Sequence, residues 1–219
     1  HSIRRRQRQM CIRDRSRVVA IDIMIGLAMM VVILTGGLNL ALGAIGVCAA
    51  MFGGWCMETM GIPVIPSIFL ILGMGSFLGW VNGMITVKTG VHSFIVTLAT
   101  MSIYFGLMTM LTEAEAFRRL PESFTDFGSM KLFNKYVSPL LLLSLATCCV
   151  LFYLFKYTDI GRKLIAAGAN PDAAELSGIS VNHMFIYCHM LSGFLGAMAA
   201  IMLTTRIGAA IPSMAGQLG

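Results

Sequence analysis

Charged residues are scarce in this sequence. Asp, Glu, Lys and Arg make up 12% of its 219 residues, whereas 57% of the residues are hydrophobic. A soluble globular domain usually carries about 25% charged residues. So little charge excludes an ordinary soluble domain. It predicts an all-α fold, a polytopic bundle of transmembrane helices embedded in the lipid bilayer.

Beyond its N-terminus the sequence has no net charge. Seven of the 16 basic residues lie in residues 1–17 together with one Asp, so this tail accounts for the whole net charge of +6. The absence of a basic surface elsewhere predicts that nucleic acid is not a partner. The tail has no apolar period, and the chain starts at His1 instead of Met. We therefore leave it outside the fold prediction, as a segment that need not be native.

The sequence also lacks the motifs of metal sites and of common enzymes. Its six cysteines show no CxxC spacing, and five of them lie inside apolar runs, where cysteine behaves as a small hydrophobic residue. His183 and His189 would point about 120° apart on a helix, which makes them a poor metal pair. HExxH, GxSxG and GxxxxGK[ST] are absent. We expect no metal site, catalytic residue or cofactor in this chain, and no enzymatic activity.

Six apolar runs are long enough to cross a bilayer as helices. These are residues 18–35, 40–57, 67–87, 93–111, 137–155 and 183–203. Residues 112–136 and 156–182 form the two longer loops between them. In the last run, Gly193 and Ala197 lie four positions apart, and this spacing of small residues predicts close packing against another helix.

Several polar side chains fall inside these runs. In residues 36–43, GGLNLALG, two glycines beside Asn39 weaken a helix by about 1 kcal/mol each. The pattern is typical either of a broken helix or tight turn that lines a pathway, or of an ordinary turn at the interface. Asn82, Thr97 and Tyr104 are the other candidates for lining a pathway, because each can hydrogen-bond a solute hydroxyl. Bonding to a neighbouring helix is the commoner fate of an Asn such as Asn82, and helix packing explains Thr97 and Tyr104 equally well.

Residues 161–178, GRKLIAAGANPDAAELSG, interrupt the apolar pattern. Asn170 can cap a helix, Pro171 fits its first position, and Gly178 can end it in a left-handed turn. The stretch thus predicts a helix of about two turns, roughly 10 Å long. It would be either a docking element or a helix on the membrane surface. Its small residues, which leave a face open to another protein, are Ala173, Ala174 and Ser177.

The same stretch carries a family resemblance. GRKLIAAGANPDAAELSGI, then LSGFLGAMAAIML and RIGAAIPSMAGQLG, resemble the permease subunits of ABC transporters that import sugars of the ribose and xylose type. VILTGGLNLALG, GWVNGMI and HSFIVTLATMSIYFGLMTMLT resemble further segments of that family in the same order. The resemblance implies that residues 18–219 are part of a permease transmembrane domain that lacks the family's first span and several of its last. Residues 156–182 would be its cytoplasmic coupling loop.

The resemblance also implies partners. The chain would lie in the bacterial inner membrane, pair with a second permease subunit, bind cytoplasmic ABC ATPase subunits that hold the ATP, and receive sugar from a periplasmic binding protein. The helix at residues 170–178 would rest in a groove of the ATPase. The family's acidic residue is Asn39 here and its Ser is Ala41, so ribose itself is not implied. The positions that the family assigns to coupling are Gly168, Asn170, Ala173, Ala174, Ser177 and Gly178.

Two other functions stay open at this point. Permeases of the branched-chain amino-acid type share the general fold, and a channel or membrane anchor would share the composition. The orientation is also open, because the basic tail predicts a cytoplasmic N-terminus and hence an external coupling loop. One further span before residue 18 would remove this conflict.

Overall fold

The computed structural model describes residues 2–112, 117 and 138–210, with residues 2–14 described by their backbone alone. Among these residues, five helices are long and apolar enough to cross a membrane, and a sixth apolar helix is shorter. The predicted all-α polytopic bundle is confirmed. The helices are α1 (Ser2–Ile33), α2 (Leu42–Glu58), α3 (Val64–Thr89), α4 (Ser93–Thr112), α5 (Pro139–Tyr157), α6 (Asp159–Ala169), α7 (Pro171–Leu176) and α8 (Val181–Ile207).

The first helix differs from its prediction. α1 starts at Ser2, so the basic tail continues the first span as helix, and the apolar part starts at Arg15 instead of residue 18. Arg and Gln are good helix formers, and a helix that leaves the bilayer needs no apolar period. The predicted loop at residues 112–136 lies outside the described residues, except for Thr112 and Phe117.

The short helix α2 lies at the centre of the bundle. It packs against α3, α4 and α8, and almost all of its residues are buried. Its glycines allow this close surround: a methyl group at Gly53 would collide with the side chain of Ile71. Because α2 is covered by protein instead of lipid, it does not need the length of a lipid-facing span.

Helices α3 and α8 make the most extensive contact among the described helices. Gly75, Gly79 and Gly83 recur every four residues on α3 and face α8. A methyl group at Gly79 would collide with the carbonyl oxygen of His189, and one at Gly75 would lie 2.6 Å from the carbonyl oxygen of Gly193. The backbones therefore touch directly, which confirms the close packing predicted from the small residues of α8.

Helices α6 and α7 lie at one end of the bundle, here called the loop end. α1, α3 and α5 finish at this end, and α4 and α8 begin there. A cleft at the loop end is lined by Gly36 after α1, Thr86 near the end of α3, His92 just before α4 and Asn182 at the start of α8. The loop end thus brings together the α6–α7 pair, the turn after α1 and the start of α8.

Candidate functional site

The predicted capped helix is present as α7, and a second helix precedes it. Asn170 accepts a hydrogen bond from the backbone N–H of Ala173 at 3.0 Å, Pro171 is the first helical residue, and Gly178 has φ +78°. These features confirm the predicted caps. The sequence analysis missed α6, whose buried residues Gly161, Leu164 and Ala167 recur every three positions and mark one face of a helix.

The predicted coupling residues on α7 and at its ends differ in how exposed they are. Asn170, Ala173, Ser177 and Gly178 are exposed on α7 and its ends, whereas Ala174 is only 4% exposed. A helix of six residues offers little more than one inward position, and Ala174 occupies it. Its small side chain therefore seats α7 on the bundle, which corrects the expectation that it is open to another protein. Its role in coupling stays a prediction.

Leu176 is an exposed residue of α7 that the sequence prediction did not include. It is 91% exposed at the end of α7, more than any other large hydrophobic residue described as exposed. Asp172 and Glu175 are exposed beside it on the same helix. The prediction for α7 rested on its small residues and therefore did not include Leu176.

Gly168 lies against the chain segment that follows α1. A methyl group on Gly168 would collide with the carbonyl oxygen of Leu34 and lie 3.2 Å from the Cα of Thr35. Gly168 therefore faces the interior of the protein, at a contact of backbone with backbone. The sequence analysis placed it in the coupling loop but had no means of finding what it touches.

The connecting segment, residues 34–41, is non-helical and joins α1 to α2. Its backbone N–H groups find side-chain partners on α4: Leu38 donates to Ser93 Oγ at 2.8 Å, and Leu40 donates to Thr97 Oγ1 at 3.2 Å. Side chains of α4 thus satisfy backbone groups that a helix would have paired internally. The break predicted at residues 36–43 is present: Gly37 and Asn39 are buried in protein, whereas Gly36 and Leu38 are exposed.

Asn39 ties the same segment to α8. Its Nδ2 donates to Ser192 Oγ at 3.1 Å, and both residues are fully buried. Its Oδ1 and the Nε2 of His189 have no hydrogen-bond partner in the described part of the chain. His189 lies one turn before Ser192 on α8. The sequence analysis considered His189 only as a metal ligand; the described residues include no cluster of three or more His, Cys, Asp or Glu that could hold a metal.

Asn82 and Tyr104 join α3 to α4. The hydroxyl of Tyr104 donates to Asn82 Oδ1 at 2.9 Å, in a fully buried position for Asn82. Thr97 and Tyr104, seven positions apart, share the buried face of α4. All four candidates for a pathway lining, Asn39 included, are therefore buried and bonded to protein in this arrangement.

Residues 14–219 match the family described as branched-chain amino acid transport system / permease component. The chain belongs to this permease family. The match covers both the α6–α7 pair and the connecting segment, so the features above belong to the permease portion of the sequence.

Individual relatives of the permease are import proteins. The chain is 31% identical over 207 residues to the ribose import permease protein of Haemophilus influenzae, covering 90% of this chain and 61% of that protein. It is 32% identical over 205 residues to the fructose import permease protein of Rhizobium meliloti, covering 91% and 57%. It is 31% identical over 194 residues to the autoinducer 2 import system permease protein of Photorhabdus temperata, covering 85% and 57%.

These relatives confirm the resemblance to permeases of ribose-type importers. The chain spans about three fifths of their length. No solved structure matches it. The family match and the apolar helices together show that the chain is a multi-pass membrane protein.

Proposed function

We propose that this chain is a transmembrane subunit of an ATP-driven importer of a monosaccharide or similar small polar solute. The observation that carries the proposal is α7: a short helix, capped at its first residue and ended by a left-handed glycine, that projects from the loop end. Only Ala174 of this helix is buried, so the rest of α7 is free to contact another protein. The names of the relatives, which import ribose and fructose, support the choice of solute.

The partner at the loop end would be a cytoplasmic ATPase. The α7 helix carries two carboxylates, Asp172 and Glu175, beside the exposed Leu176. A matching groove would combine an apolar pocket with basic or hydrogen-bond donor groups. The chain would lie in a bacterial inner membrane, beside a second permease subunit, and would receive its solute from a periplasmic binding protein.

The close packing of α6, which precedes α7, suits this pair of helices to pass on a movement. Below it, α6 packs on α5 and α8, and a methyl group at Gly161 would collide with the carbonyl oxygen of Leu154 on α5. Contacts this close allow little relative movement between α6 and the helices α5 and α8. A shift of α7 imposed by the ATPase would therefore reach α5 and α8 with little loss.

The polar side chains of the core would line the path of the solute. Asn39, Asn82, Thr97 and Tyr104 can each exchange a hydrogen bond to protein for one to a solute hydroxyl. Because all four are buried and bonded to protein here, at least one of these bonds has to open during transport. Binding at such a site would be weak, and selectivity would rest with the delivering protein.

The docking role is tested by Ala173→Glu, on the exposed face of α7. We expect solute uptake to fall at least about tenfold, with membrane insertion intact, because a bulky anion would keep α7 out of its groove. Thr59→Glu is the matched control: it adds the same charge at an exposed site just after α2, at the opposite end of the bundle, and should leave uptake unchanged. Ala173 serves better than Ala174, where Glu would unseat α7 from within.

Two results would contradict this proposal. Full uptake in Ala173→Glu would remove the docking role. A cysteine at Asp172 labelled by an impermeant maleimide from the outer face of intact cells would place α7 on the wrong side of the membrane for any ATPase.

Branched-chain amino acids are the second candidate solute, because the family description names them. Uptake of labelled ribose and fructose, measured with and without excess leucine, isoleucine or valine, separates the two. Competition by the amino acids alone would favour this second function.

A further inference from the structure

The proposed function does not involve the contact between α6 and the connecting segment. It is a contact of Gly168 with the backbone of Leu34 and Thr35, with no side chain between them. A movement of α6 toward the segment would meet a carbonyl oxygen directly. The contact is therefore stiff in compression, and only glycine leaves room for it at this position.

Beyond this contact the connecting segment is held by two helices. Ser93 and Thr97 of α4 accept from its backbone N–H groups, and Ser192 of α8 accepts from Asn39. A methyl group at Gly37 would lie 3.1 Å from the ring of Phe185, so the segment also rests on the start of α8. When the segment shifts, α4 and α8 have to shift with it or exchange these bonds.

Two buried hydrogen-bonding atoms remain unused, one on the connecting segment and one on α8. Asn39 Oδ1 and His189 Nε2 are buried with no hydrogen-bond partner among the described residues. Buried polar atoms in this state are uncommon and call for an explanation. A second position of the segment, in which these atoms find partners, would explain them and would give the segment two arrangements between which it can switch.

We propose that the connecting segment is a relay: it passes movement of α6 and α7 on to the membrane-spanning helices α4 and α8. Gly168 is the positioning residue that couples α6 to the segment. Movement of α7 and α6 reaches α4 and α8 through this non-covalent contact, in addition to the covalent chain from α5 and into α8. The proposal rests on the proposed function, because it takes the ATPase to be the source of the movement.

The first test is Gly168→Ala, studied in membranes that also contain the ATPase and the binding protein. The added methyl group pushes α6 away from Leu34, so we expect the amount of solute transported per ATP hydrolysed to fall at least tenfold, with the ATPase still bound and active. Gly106→Ala is the matched control, because a methyl group there meets no atom within 4 Å. It should stay within twofold of the unchanged protein.

A second readout does not depend on the ATPase. Leu38 is 40% exposed on the connecting segment. With the native cysteines replaced, the labelling rate of a cysteine at Leu38 reports the position of the segment in the chain alone. We expect Gly168→Ala to change this rate at least fivefold, and Gly106→Ala to leave it unchanged. Ser192→Ala, which releases Asn39 without adding atoms, should also change the rate.

The outcomes separate the two proposals. Unchanged labelling and unchanged transport per ATP in Gly168→Ala would overturn the relay. A changed labelling rate in a chain that binds no ATPase would support the contact of α6 with the connecting segment and overturn the proposed function, and with it the ATPase as the source of the movement. If Gly168→Ala fails to insert, Ser192→Ala decides: a labelling rate equal to that of the unchanged chain would overturn the relay, and a changed rate would support it.

Discussion

Helices α8 and α4 flank the connecting segment and are held in the bundle in opposite ways. Most of the apolar part of α8 is buried, whereas most of α4 is exposed. α8 meets α3 through glycines and backbone, whereas α4 is held by hydrogen bonds of its Thr97 and Tyr104 side chains. Most of the remaining surface of α4 is apolar and exposed.

This difference in packing predicts that α4 moves more easily than α8. Contacts of backbone with backbone tolerate no added atom and little sliding, because interiors pack at crystal-like density. Hydrogen bonds between helices in a membrane contribute only about 0.6 kcal/mol on average, since the separated helices find other partners. We therefore expect α8 to stay fixed on α3 during transport while α4 shifts. Three substitutions test this contrast.

The largest effect is expected from Gly79→Ala at the α3–α8 contact. The methyl group would collide with the carbonyl oxygen of His189, and such overpacking costs about 1–3 kcal/mol. Thermal unfolding in detergent would show a lower midpoint. Gly73→Ala is the control on the same helix, where a methyl group meets nothing within 4 Å. An equal midpoint for both variants would contradict the close contact.

A smaller effect is expected from Tyr104→Phe on α4. It removes the hydroxyl that donates to Asn82, and the loss should be about 0.6 kcal/mol, typical of a hydrogen bond between membrane helices. Tyr153→Phe, on an exposed face of α5, should change the unfolding midpoint less. If Tyr104→Phe were as damaging as Gly79→Ala, α4 would be held as rigidly as α8 and the contrast would fail.

The smallest effect is expected from Ile103→Val on the outer face of α4. Ile103 is 61% exposed, so the lost methyl group leaves no cavity among the described residues, and the free energy of unfolding should change by less than about 0.5 kcal/mol. Unfolding of the purified chain measures it. A larger loss would mean that this face packs against protein.

Much of the candidate site followed from local patterns. The caps of α7 were predictable because Asn170 and Gly178 act on neighbouring residues of the chain. The break at residues 36–43 was predictable from its glycines and Asn39. The inward turn of Ala174 and the exposure of Leu176 were not, because a helix of six residues carries no period from which its buried face can be read.

The sequence alone determined the helical class, the positions of the spans and the breaks between them, because each depends on apolar length and on glycine, proline and capping residues within a few positions. Only the tertiary structure decided that α2 is enclosed by protein, that Gly168 rests on Leu34, and that Asn82 pairs with Tyr104. These pairs are brought together by packing between helices, and residues so far apart along the chain leave no local signal of which partner each will meet.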